Sequence, residues 1–241
     1  MRLILFPIGL AVFVTALGLT VAGQAPSPQA GRGAAAEPTL EQMRRTVATL
    51  RGNRIATPND YDALKPEQQA YVRSILSGPR ASITGPLGVM MVSPTLGDLM
   101  QKATAYARFA GDPGFSSVSP KYNELAILVV AKHWSAEYVW NAHHAYGVRM
   151  GLPPELVEAI RTGSRPPRMD KELEAVYAFA TEFIAARRVS DSTLQAARAV
   201  LGGDRGVVDL VGTMGLYQVS SMMVALDETP LGRDTKPYFT H

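Results

Sequence analysis

From residue 93 to residue 226 the apolar residues of this chain recur at three- and four-residue spacing, and no segment sustains the alternation of a half-buried strand. That pattern predicts an all-α fold, with helices packing their apolar stripes against one another. Leu96, Leu99, Met100 and Ala103 set the first stripe, which Ala105, Phe109 and Ala110 extend. Helices are predicted at 121–133, 135–150, 154–162, 170–187, 191–201 and 205–226, with shorter ones over 39–50 and from Pro66. The pairs Gly78-Pro79 and Gly85-Pro86 read as loops. Ser135 is placed to cap the helix that follows it, with Glu137 at that helix's positive end. The segment 207–226 is apolar around most of its circumference, but Asp209, Gln218, Ser220 and Ser221 interrupt it. An unpaired Asp suits a membrane span poorly, so this segment is expected to be a core helix.

Ahead of this region, residues 3–23 form an apolar run directly after Met1 and Arg2, and a small, polar, proline-punctuated stretch follows. This is the pattern of an export signal, with cleavage expected near Gln24 or Pro26 and a periplasmic or secreted location. The run is also long enough to remain as a membrane anchor if it is not cleaved. The expected organisation is therefore a signal peptide at 1–25, a flexible linker at 26–38, a helical extension at 39–92 and the main helical domain at 93–241.

The 241 residues carry a formal charge of only +3, spread along the chain, so no nucleic-acid partner is expected. There is no cysteine, which removes disulfides, thiolate nucleophiles and Cys-ligated metals. Proton transfer near neutrality then rests on His133, His143, His144 and His241. On a helix from 135, positions 136, 139, 140 and 143 share a face, while Glu137, Asn141 and His144 lie about a hundred degrees round. His143 and His144 thus diverge, no metal-binding spacing occurs, and no metal is expected. Glu124 sits beside Leu125, Ala126, Ile127 and Leu128, where a buried carboxylate needs a partner.

The runs ELAILVVA at 124–131 and HWSAEYVWNAH at 133–143 resemble the core motif of the carboxymuconolactone decarboxylase family. The resemblance extends more weakly over roughly 60–230. In the related alkylhydroperoxidase branch this register carries a CxxC pair, whose positions correspond to Ala136 and Val139. Peroxide reduction by that dithiol route is therefore excluded. The resemblance implies an alkylhydroperoxidase-like helical subunit assembled as a homotrimer or hexamer, needing no cofactor. It makes His143 the first choice for an acid/base group, with Glu124 tuning it and Glu137 as a second acid/base or gate. Tyr138 and Trp140 would wall the pocket, and Arg108 or Arg149 would hold substrate carboxylates.

The activity this implies is a cofactor-independent lyase, or related acid/base enzyme, acting on a small, anionic, carboxylated or lactone substrate. The alternative is a non-catalytic periplasmic small-molecule-binding protein on the same scaffold. Two departures separate the chain from the family's pattern, the export segment and the extension at 39–92, and membership of such a family fixes the fold better than the substrate.

Overall fold

The structure, a computed structural model, describes residues 37–80, 82–109, 114–166, 169–232 and 235–239. The expected export segment, and the expected linker up to residue 36, lie outside the described residues. Among these the fold is all-helical, with ten α-helices, one 3-10 turn and no strand. They are α1 Leu40–Ala48, α2 Pro66–Leu76, α3 Pro86–Val89, α4 Pro94–Arg108, α5 Pro120–His133, α6 Glu137–Arg149, α7 Pro154–Thr162, α8 Lys171–Ala186, α9 Asp191–Val200 and α10 Asp204–Asp227, with the 3-10 turn Met90–Val92 between α3 and α4. Proline opens α2, α3, α4, α5 and α7, where its missing N–H costs nothing. The side chains of Thr39, Ser119, Asp170 and Ser190 accept first-turn N–H bonds at the starts of α1, α5, α8 and α9.

The centre of the bundle is α5, in which every residue from Tyr122 to Ala131 is buried. A helix buried on all sides shows no amphipathic stripe, and this one is enclosed by α6, α7, α8 and α10. The long helix α10 has the length and hydropathy of a membrane span. It instead lies along α5, α4, α3 and α6.

The stretch 39–92 builds a core of its own from Val47, Tyr71, Val72, Ile75 and Met91, and that core meets Met100 on α4 and Val219 and Met223 on α10. Asp227, fully buried at the end of α10, fastens it. Its Oδ1 accepts from the backbone N–H groups of Asn53 (3.0 Å) and Ile55 (2.8 Å), and its Oδ2 accepts from the Thr229 hydroxyl (2.8 Å). Burial pushes this carboxyl up, but the donors of Ile55 and Asn53 outweigh it and hold the group below its ordinary value. A lowered native value adds stability above the ordinary carboxylate range, and that stability is lost as pH falls through the native value. Asp227→Ala is therefore expected to cost about 1.5–3 kcal/mol in urea unfolding at pH 7. The gap to the wild type should close as the medium is acidified below about pH 4; a gap that persists there would mean the carboxylate's charge is not what holds the extension.

Two local expectations are corrected. Gly85-Pro86 does not simply mark a loop: Pro86 opens the short helix α3, and Gly85, at φ 53°, makes the turn into it. Ser135 does not cap α6 either. It takes φ 46°, Ala136 is the residue preceding the helix, and no side chain caps that end. The chain reverses between α5 and α6 within so few residues that Ser135 is used for the reversal, which leaves its hydroxyl out of reach of the first-turn N–H groups.

Candidate active site

The reversal at Ser135 returns α6 along α5, and the two helices meet closely at Gly147. A Cβ there would fall 2.9 Å from Leu152 Cδ1, 3.4 Å from Leu128 Cδ1 and 3.5 Å from Glu124 Cβ. The missing side chain lets α6 approach α5 beside Glu124. One turn earlier on α6, His143 Nδ1 lies 2.8 Å from Glu124 Oε2. Both side chains are almost wholly enclosed, at 5% and 2% exposure. An ionised carboxylate can only accept, so Nδ1 carries the proton and the Nε2 lone pair faces the other way. It faces Arg108, whose Nη1 donates to it over a long 3.4 Å.

Neighbouring residues hold these groups in place. Asn123, next to Glu124, donates from Nδ2 to the Ala107 carbonyl (2.6 Å) and accepts at Oδ1 from Thr213 (2.7 Å), so it ties α5 to the end of α4 and to α10. The Tyr217 ring stands edge-on to the His143 imidazole, with centroids 5.0 Å apart. Burial raises the Tyr217 pKa, Arg108 opposes that rise and Glu124 adds to it. Burial works against the charge of Arg108, yet Tyr217 and Glu124 together lift it above the ordinary arginine value. Arg108 also lies over the Tyr146 ring, 6.0 Å from its centroid. The result is a buried carboxylate and imidazole, with a half-buried guanidinium on the far side of the ring and two phenols around them.

The structure thus brings together His143, Glu124 and Arg108 of the residues expected from sequence. It places the others elsewhere. Glu137 turns to the C-terminal tail and accepts from the backbone N–H groups of Tyr238 (2.8 Å) and Phe239 (2.6 Å). His144, on the same side of α6, receives the Tyr238 hydroxyl at Nε2 (3.1 Å). Trp140 is 1% exposed in the core and meets Phe239 edge to face at 5.3 Å. Tyr138 lies against Gly85, where its Cε1 would be 2.3 Å from an added Cβ. Arg149 is exposed and stacks over Tyr146 at 5.3 Å, so it touches the cluster only through that ring.

Sequence reasoning missed Tyr217, Tyr146 and Arg80. For Tyr217 a signal existed: Asp209, Thr213, Tyr217 and Ser220 follow one another at three- and four-residue steps in an apolar helix, which is a polar line along a buried face. Arg80, in the loop after α2, had none. Its Nη2 donates to Thr104 Oγ1 at 2.8 Å, a contact between segments whose pairing no local pattern announces.

No protein-family model matches the chain, and no curated protein matches it. Among solved structures it is similar to the crystal structure of an uncharacterised peroxidase-related protein from Silicibacter sp. TM1040, with a TM-score of 0.59 and 16% identity over 76% of this chain and 94% of that one. At that identity the likeness shows the fold alone: this chain has an alkylhydroperoxidase-like helical fold, and it carries that fold without a cysteine.

Proposed function

We propose that this protein is a thiol-independent acid/base enzyme, a cofactor-independent lyase of the carboxymuconolactone decarboxylase type, acting on a small carboxylated lactone. The observation that carries this reading is the enclosed Glu124–His143 pair, whose second imidazole nitrogen meets Arg108. A carboxylate on Nδ1 fixes the ring and stabilises the imidazolium, as in other histidine-based catalysts. The contact from Arg108 to Nε2 is long enough to exchange, and a guanidinium fork matches a carboxylate in two parallel hydrogen bonds. A substrate carboxylate drawing Arg108 to itself would uncover Nε2 for a proton from solvent.

The reaction then balances without a cofactor. The bond from the γ-carbon to the carboxylate breaks, carbon dioxide leaves, and the electron pair delocalises into the lactone carbonyl. The imidazolium delivers its proton from Nε2 to the resulting carbanion, and solvent reprotonates the ring. Arg108 and the Tyr217 hydroxyl supply the positive field for the developing oxyanion.

The apolar run at 3–23 supports an exported protein. The exposed Leu96 and Leu99 on α4, and Val208, Met222 and Leu226 on α10, support self-association. The test is incubation of purified protein with γ-carboxymuconolactone, following carbon dioxide release, with sedimentation velocity on the same sample. Release is expected; a folded oligomer that releases none rejects this substrate. The near-complete enclosure of His143 favours a second reading, a non-catalytic small-molecule-binding protein, which would bind the lactone and return it unchanged.

A further inference from the structure

We infer that Arg80, from the extension at 39–92, and Arg108, from the end of α4, form the two sides of one binding site for the oxyanion group of a small organic acid. The inference deepens the acid/base reading, since it names what anchors the substrate beside His143.

Thr104 and Arg108 are one turn apart and project from the same side of α4. Thr104 is buried, and its hydroxyl accepts from Arg80 Nη2 at 2.8 Å. The two guanidiniums are thereby brought to neighbouring positions in a largely enclosed region. Like charges in such a place repel, and each has lost hydration, so the arrangement is costly unless an anion joins it. The anion at hand is Glu124, and its Oε2 is already taken by His143 Nδ1. Around Arg80 the groups acting on its charge are the Tyr217 phenol, Arg108 and the Tyr71 phenol, with no carboxylate among the described residues. Its Nε–H is buried and finds no acceptor there. Burial, with Arg108 adding to it, lowers this arginine to about 10.

A guanidinium with one edge on Thr104 and its Nε–H unused has donors left for a planar oxyanion, and Arg108 offers a second fork. A carboxylate between them would satisfy the orphan donor and offset the charge of Arg80, which lacks the carboxylate that Arg108 has in Glu124. The substituents of that acid would then lie against Tyr217, within reach of Nε2 of His143. On this reading the extension belongs to the recognition machinery, since the domain from residue 93 onward holds only one of the two arginines.

The experiment is calorimetric titration of the full-length protein with succinate and, separately, with inorganic phosphate, in wild type, Arg80→Gln, Arg108→Gln and Arg45→Gln. Arg45 is exposed on α1 and paired with Glu41, so it serves as the control. Saturable binding by wild type and Arg45→Gln is expected, weakened at least tenfold in Arg80→Gln and Arg108→Gln. Binding of succinate over phosphate assigns a carboxylate, and the reverse assigns a phosphate group. Ligand-free Arg80→Gln is expected to melt no lower than wild type, because it removes an uncompensated charge, whereas a merely structural arginine would leave a less stable protein. Anion binding unchanged in Arg80→Gln, or absent from the wild type for both anions, overturns the inference. Anion binding lost in Arg80→Gln while γ-carboxymuconolactone is never turned over would uphold this site and reject the proposed reaction.

Discussion

His143→Ala is expected to lower turnover of the carboxylated lactone by about 10²–10⁴-fold, the usual contribution of a positioned proton donor, with little change in KM. The reasoning starts from the hydrogen bonds. His143 Nδ1 is committed to Glu124, so Nε2 is the only ring nitrogen able to serve substrate. Glu124→Gln keeps the volume but removes the negative charge that stabilises the imidazolium, the form of the ring that delivers the proton from Nε2. It should therefore also lower kcat, and the double variant Glu124→Gln/His143→Ala should be no slower than His143→Ala alone. Residues acting as one unit give such non-additive losses. If the two losses multiply instead, or if Glu124→Gln loses stability and keeps kcat, the pair is a packing feature and the acid/base reading fails.

The register of α5 and α6 was legible because it depends on local spacing. A three-to-four-residue period decides which side chains share a face, and that reasoning separated His143 from His144 and put Ala136, Val139, Trp140 and His143 on one face, which in the structure is the buried one. Glu124 announced itself as a carboxylate in an apolar run that needs a partner. What spacing cannot supply is the partner's identity when it comes from another element. The family resemblance made Glu137 a second acid/base or gate, but its position on the helix points it at the tail, where two N–H groups at 238 and 239 claim it. Arg80 meets Thr104 only after α2 has packed on α4, and residues 78–80 carry no periodicity that encodes the meeting. The reversal at Ser135 was missed for a different reason. A serine before a helix is ordinarily a cap, and only the short distance between α5 and α6 forces its backbone to φ 46°.

The same distinction between face and partner decides what Trp140 does. As a pocket wall, its replacement by alanine would alter KM and leave the fold nearly as stable. As placed, the indole is 1% exposed, packs within the main core and meets Phe239 edge to face. Trp140→Ala is accordingly expected to cost about 3–5 kcal/mol, the range for removing a large buried aromatic and leaving a cavity. For a domain of this size that lowers the melting temperature by about 6–20 °C. Phe239→Ala, on a tail held by the two backbone bonds to Glu137, should cost clearly less, because the tail can shift to fill the space. Urea unfolding of both variants alongside the wild type measures the difference. His143 sits one turn further along α6 on the same buried side, so the loosened Trp140→Ala helix should also lose part of its turnover. Lowering the assay temperature should restore that part as the native fraction recovers. A stable Trp140→Ala protein with a raised KM would instead put the indole against the substrate, and the pocket would then have to reach the face of α6 on which Phe239 now lies.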